Sequence, residues 1–85
     1  MGVIDESKTR NALEAINAVL VAARAMAWSK RPAEEMADVL DVAEYLPCLL
    51  LEPVDRTVEF REQLVFLATQ YRAFPFFIAL QKFDG

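Results

Sequence analysis

The chain has 85 residues, with no histidine, one cysteine and two glycines. Without histidine it lacks the commonest general base, every nucleophile pair that depends on an imidazole, and the usual zinc, copper and haem ligand sets. The single cysteine, Cys48, cannot form an internal disulfide, and its apolar setting predicts a small buried side chain rather than a reactive thiol. We therefore predict no catalytic residues, no bound metal and no cofactor.

Long apolar runs and clustered cations are also missing. Arg24 interrupts the alanine-rich first half, and the apolar run FPFFIAL is far shorter than the ~20 residues that a spanning helix needs. The basic residues are scattered, which disfavours direct nucleic-acid binding because phosphate neutralisation needs clustered Lys and Arg. The acidic start of the chain, with Glu6 where a myristoylation signal has Ser or Thr, fits no targeting signal. These features predict a cytoplasmic protein with no membrane span.

What the chain does contain is a surplus of apolar residues. Hydrophobic residues make up 55% of the sequence, above the ~45 to 50% usual in soluble domains. A single domain of this size buries only about 63% of its unfolded surface, so its own core is thin. We therefore expect a second chain to cover part of the surplus, in a symmetric homodimer.

Helical propensity runs through the whole sequence. Glycine is rare, there are four prolines, alanine, leucine and glutamate are common, and no alternating strand pattern is present. The predicted fold class is all-α: one small helical bundle over 1–85, with three main helices in antiparallel succession and a short C-terminal helix, forming a dimer. We predict a loose N-terminus over 1–7 and helices over about 8–28, 32–50, 54–72 and 75–83.

Helical periodicity assigns an inner face to each main helix. The predicted inner positions are Leu13, Ile16, Leu20, Ala23 and Ala27 in the first helix, Met36, Val39, Leu40, Ala43 and Leu46 in the second, and Phe60, Leu64, Leu67 and Tyr71 in the third. The first helix is apolar nearly all round from Ala18 onward, so we expect it at the middle of the assembly. Ser7 is its predicted cap, and Pro47 is expected to kink or end the second helix. The third is expected to begin near Pro53 or Asp55.

An acidic patch lies on the predicted second helix. Its members share a helical face or flank it: Glu34, Glu35, Asp38 and Asp41. Two interpretations stay open, a solvated outer face and a contact surface for a basic partner.

A third interpretation of the same residues is metal binding. The segment EEMADVL resembles one half of the motif of the all-helical nucleoside triphosphate pyrophosphatases, the MazG-like family, in which carboxylates on two helices hold magnesium. The resemblance implies Glu35 and Asp38 as ligands with Glu34 beside them, because magnesium is satisfied by carboxylates and water. The chain departs from that family, since Glu14 is the one acid where the family has a glutamate pair. A magnesium-dependent nucleotide pyrophosphohydrolase is therefore the alternative function.

The final segment, YRAFPFFIALQKFDG, presents apolar side chains in more directions than a short helix can lay on its own bundle. Together with two outward-facing aromatic residues, it forms the predicted interface: Trp28, Phe66, Phe74, Phe76, Phe77, Ile78, Leu80 and Phe83. Large exposed apolar patches are uncommon on monomers. We therefore predict a small non-catalytic protein-interaction module that acts as a homo-oligomer through apolar helix faces and the acidic second helix. Its expected partners are itself and another protein with a basic or apolar surface.

Overall fold

The computed structural model describes residues 6–71 and 74–85, and these residues form four helices and no strand. The helices are α1 (Glu6–Trp28), α2 (Ala33–Leu51), α3 (Thr57–Tyr71) and α4 (Phe74–Asp84). The all-α prediction is therefore confirmed. The predicted loose N-terminus lies outside the described residues at positions 1–5, whereas positions 6 and 7 belong to α1. The predicted end of the third helix at position 72 also lies outside them.

Local backbone conformation and hydrogen bonding explain where α1 ends and where α2 begins. Ser7 lies inside the first turn of α1, so its predicted role as the cap is wrong. At the other end, Lys30 takes a left-handed conformation with a φ of 56°, and the Arg31 amide donates to the Met26 carbonyl at 3.2 Å. This backbone bond satisfies a carbonyl at the end of α1, as in helices that end at a left-handed residue. Pro32 then precedes the first residue of α2, where its missing N–H is not needed.

The helix α2 continues through Pro47 to Leu51, so of the two outcomes expected at this proline, a kink or an end, the end is wrong, while the predicted range of 32–50 is close to the observed Ala33–Leu51. The two leucines that flank this turn, Leu46 and Leu49, are both buried. The burial of these two side chains offsets the cost of the one backbone hydrogen bond that proline cannot make. The start of α3 is also later than predicted, because Asp55 Oδ1 accepts the Thr57 amide at 2.8 Å and so forms a turn before the helix.

The four helices form a ring in which α1 packs against α2 and α4, and α3 packs against the same two helices. Helices that follow each other in the chain run antiparallel. The bidentate pair between Arg61 and Asp84, at 3.0 and 3.1 Å, joins the start of α3 to the end of α4. The contact between α1 and α4 is the most extensive, and the buried alanines of α1 with Ala79 of α4 allow this close approach.

The buried face of α1 differs from the predicted one. Ile16 and Ala23 are buried as predicted, but Leu13, Leu20 and Ala27 are exposed. The other buried positions of α1 are Ala12, Ala15, Val19, Ala22 and Met26. A close contact with α4 needs small side chains, so the alanines turn inward and the leucines turn out. α1 is therefore not at the middle of the chain's own bundle, because one of its faces is open. Leu40 of α2 is likewise 42% exposed, whereas Phe60, Leu64 and Leu67 of α3 are buried as predicted.

Candidate interaction surface

The side chains of α4 divide between the bundle's own core and its surface. Phe76 and Ala79 are fully buried, while Leu80 and Phe83 pack against the core. The Phe83 ring stacks on Phe60 with centroids 4.7 Å apart. The prediction that Phe76 belongs to an interface is therefore wrong, since no second chain can reach it. Leu80 and Phe83 also serve mainly the chain's own core.

Three aromatic side chains point away from the core at one end of the bundle. Trp28, Phe74 and Phe77 are 79%, 75% and 46% exposed. The end of α1 and the start of α4 meet here, because Ser29 and Pro75 line the same cavity. We call these three residues the aromatic end. Three members of the predicted interface are thus exposed where the end of α1 and the start of α4 meet, whereas Phe66, also half exposed, lies on α3.

A second surface feature runs between α1 and α4. It is an open groove of about 630 Å³, and the apolar side chains that line it are Leu13, Ala18, Val21, Pro75 and Ile78. Of these, the sequence pattern assigned only Ile78 to a surface site. The spacing of the alanines in α1 was the available signal, because a stripe of small residues marks the side on which another helix packs closely and leaves Leu13 and Val21 outside.

The four acids of the acidic patch differ in their contacts with the rest of the chain. Glu34 and Asp41 are exposed. Glu35 Oε2 lies 3.1 Å from Arg31 Nε as an ion pair, although the contact is not aligned as a hydrogen bond. Asp38 accepts a hydrogen bond of 3.0 Å from the Tyr71 hydroxyl. Burial raises the pKa of Tyr71 to about 12, with a further contribution from Asp38.

These contacts bear on the magnesium interpretation. Two of its carboxylates, Glu35 and Asp38, already have protein partners. Within residues 6–71 and 74–85, no group of three or more Cys, Asp or Glu side chains is arranged to hold a metal ion. The geometry gives this interpretation no support, and it stays a prediction.

Cys48 is exposed, so the prediction of a buried side chain is wrong. Its Sγ lies 3.5 Å from the Glu44 carbonyl oxygen, to which the thiol donates. Leu46 and Leu49 take the inner positions of this turn. At ~100° per residue, position 48 then faces outward.

Comparisons with protein-family models, curated proteins and solved structures give no match for this chain. Among the helices of the described residues, none is long and apolar enough to cross a membrane. The surface features that bear on function are the aromatic end and the groove between α1 and α4.

Proposed function

We propose that this protein is a small non-catalytic protein-interaction module that forms a homodimer through its aromatic end. The observation that carries the proposal is the exposure of Trp28, Phe74 and Phe77 at one end of a bundle that already buries Phe76. Aromatic side chains of this kind dominate interface energetics because each offers a large apolar area at a low cost in side-chain entropy.

The exposed area of these three side chains supports the proposal. With roughly 150 to 250 Å² for each aromatic side chain, the exposed fractions add up to on the order of 400 Å². As one continuous patch, this area would match the ~300 to 600 Å² of the largest patch on a typical monomer, a patch that is often functional. Two copies would bury about 800 Å² of aromatic surface, below the ~1,200 Å² of a standard interface. Flanking residues must therefore contribute further buried area to the interface. We expect a dissociation constant in the micromolar range.

The acidic patch offers a second contact surface on the same module. Glu34 and Asp41 are exposed, and α2 carries five acids and no base. A single-sign surface of this kind attracts a basic partner and accelerates its association. In our proposal the aromatic end makes the dimer, and the acidic helix remains available to another protein.

Sedimentation velocity over a dilution series tests the proposal. We expect a mass of twice 9.6 kDa at tens of micromolar and dissociation on dilution. Phe74→Asp places a charge in the interface and should give a monomer with unchanged helicity. Val58→Asp is the matched control, because Val58 is 70% exposed and lies on α3. A wild-type mass of 9.6 kDa at every concentration refutes the homodimer, and equal dissociation by both variants refutes the aromatic end as its site.

A further inference from the structure

The groove between α1 and α4 has the dimensions of a helix-binding site. On α1 it extends from Arg10 to Val21, which is about 17 Å along the helix axis. Leu13 and Val21 stand 56% and 57% exposed along it, and Ile78 faces them from α4. The groove is open along its length between two antiparallel helices. A third helix with apolar residues at i, i+4 and i+7 spans ~10 Å with these anchors and fits the distance between the exposed side chains.

The charge at one end of the groove narrows the choice of occupant. At the end of the groove formed by the first turns of α1 and the last turn of α4, the lining residues are Arg10, Glu14 and Lys82. Glu14 lies 3.8 Å from Arg10 and offsets part of its charge. Lys82 has no ion pair within the described part of the chain. The groove therefore keeps a net positive end in a protein whose formal charge is −4.

We infer that this groove binds an amphipathic helix of a partner protein that carries acidic residues beside its apolar face. The apolar floor supplies the burial of the partner's anchors, and Lys82 with Arg10 selects acids near one end of that helix. A second copy of the chain is a poorer occupant, because its groove offers no acidic end to match, and two grooves placed face to face in parallel would bring their positive ends together. The inference rests on the proposed role as an interaction module, but the groove adjoins the aromatic end only at Pro75 and is lined by none of its three aromatic residues.

The probe is a capped, fluorescently labelled peptide of about four helical turns, with leucine on one face and glutamate on both flanks. A matched peptide carries lysine in place of each glutamate. In fluorescence anisotropy with the full chain, we expect the glutamate peptide to bind at micromolar concentration and the lysine peptide to bind at least about tenfold more weakly. Added salt should lower the affinity for the glutamate peptide, because the charges at this end of the groove are exposed and are screened by ions.

Two substitutions locate the binding site. Ile78→Glu puts a charge on the floor of the groove and should abolish binding. Lys82→Glu should lower the affinity for the glutamate peptide about tenfold and raise the affinity for the lysine peptide. Lys30→Glu, which makes the same change of charge in the loop between α1 and α2, is the control and should change neither affinity by more than about twofold. Circular dichroism of each variant verifies that the bundle is folded.

The outcomes separate this inference from the proposed dimer. Absence of binding by the glutamate peptide, or equal binding of the two peptides, overturns the inference. Equal effects of Lys82→Glu and Lys30→Glu also overturn it, because they indicate attraction by net charge rather than binding in the groove. Sedimentation of the same samples shows whether the homodimer is intact. Lost peptide binding with an intact dimer refutes the groove alone, whereas a monomer that still binds the peptide refutes the dimer alone.

Discussion

Replacement of Phe76 by alanine is expected to remove a large part of the stability of the bundle. The side chain is 1% exposed, and its ring lies 5.9 Å from that of Tyr71. Burial of a phenylalanine contributes about 1.5 to 3 kcal/mol, and the cavity left by truncation raises the cost of Phe→Ala to ~3 to 5 kcal/mol. At ~0.05 to 0.15 kcal/mol per residue, a chain of 85 residues has a total stability of ~4 to 13 kcal/mol. The variant should therefore be partly unfolded or close to it.

Phe74→Ala is the matched control, with the same change of side chain two positions earlier in α4. Phe74 is 75% exposed, so its truncation removes little buried area and should cost less than about 1 kcal/mol. Both variants are compared with the wild type by urea denaturation, followed by circular dichroism. The lowest workable protein concentration is used, because dissociation of a dimer would otherwise contribute to the unfolding free energy.

The comparison has a clear refuting result. If Phe74→Ala costs as much as Phe76→Ala, or if Phe76→Ala costs less than about 1 kcal/mol, then Phe76 does not occupy a packed core site. The orientation of α4 would then be rotated from the one described. The assignment of Phe74 and Phe77 to the aromatic end would fail with it, because that assignment depends on the same rotation.

Two further predictions concern single side chains. Since the pKa of Tyr71 is raised from 10.0 to about 12 in the folded chain, its contribution to stability is complete below pH 10 and is lost as the pH rises through about 12. Tyr71→Phe should flatten the fall in unfolding free energy over that range, and an unchanged pH profile would contradict the assignment. The exposed Cys48 should react fully with an aromatic disulfide reagent in native buffer with no change in helicity. A thiol that reacts only in urea would show that it is buried.

The helical nature of the chain was predictable from the sequence, because scarce glycine and abundant alanine, leucine and glutamate act locally. The boundary between α1 and α2 was also predicted closely, since Pro32 acts on its own turn and needs no tertiary contact. The start of α3, expected near Pro53 or Asp55, lies at Thr57. The inner face of α3 was predictable for a different reason. Phe60, Leu64 and Leu67 are flanked by enough polar residues to define one apolar stripe.

The candidate surface was only partly predictable. Phe74 and Phe77 are exposed, and the pattern indicated them because the C-terminal segment has aromatic side chains on more sides than a short helix can bury. Trp28 is also exposed, and it was indicated by its place on the polar face of the first helix. Phe76 was indicated with them and lies in the core. A run of neighbouring phenylalanines does not reveal which member faces inward, because that depends on how α4 rotates against α1 and α3.

Local propensity by itself thus determined that this protein is a set of helices and where most of them begin and end. Tertiary structure decided which side of each apolar helix became surface. In α1 the alanines face inward and Leu13 and Val21 face out, because the close packing of α4 favours small side chains at the contact. Hydropathy alone does not make that choice in a helix that is apolar nearly all round. The spacing of the alanines marks the side that packs closely, but the groove forms only when α4 is in place against α1.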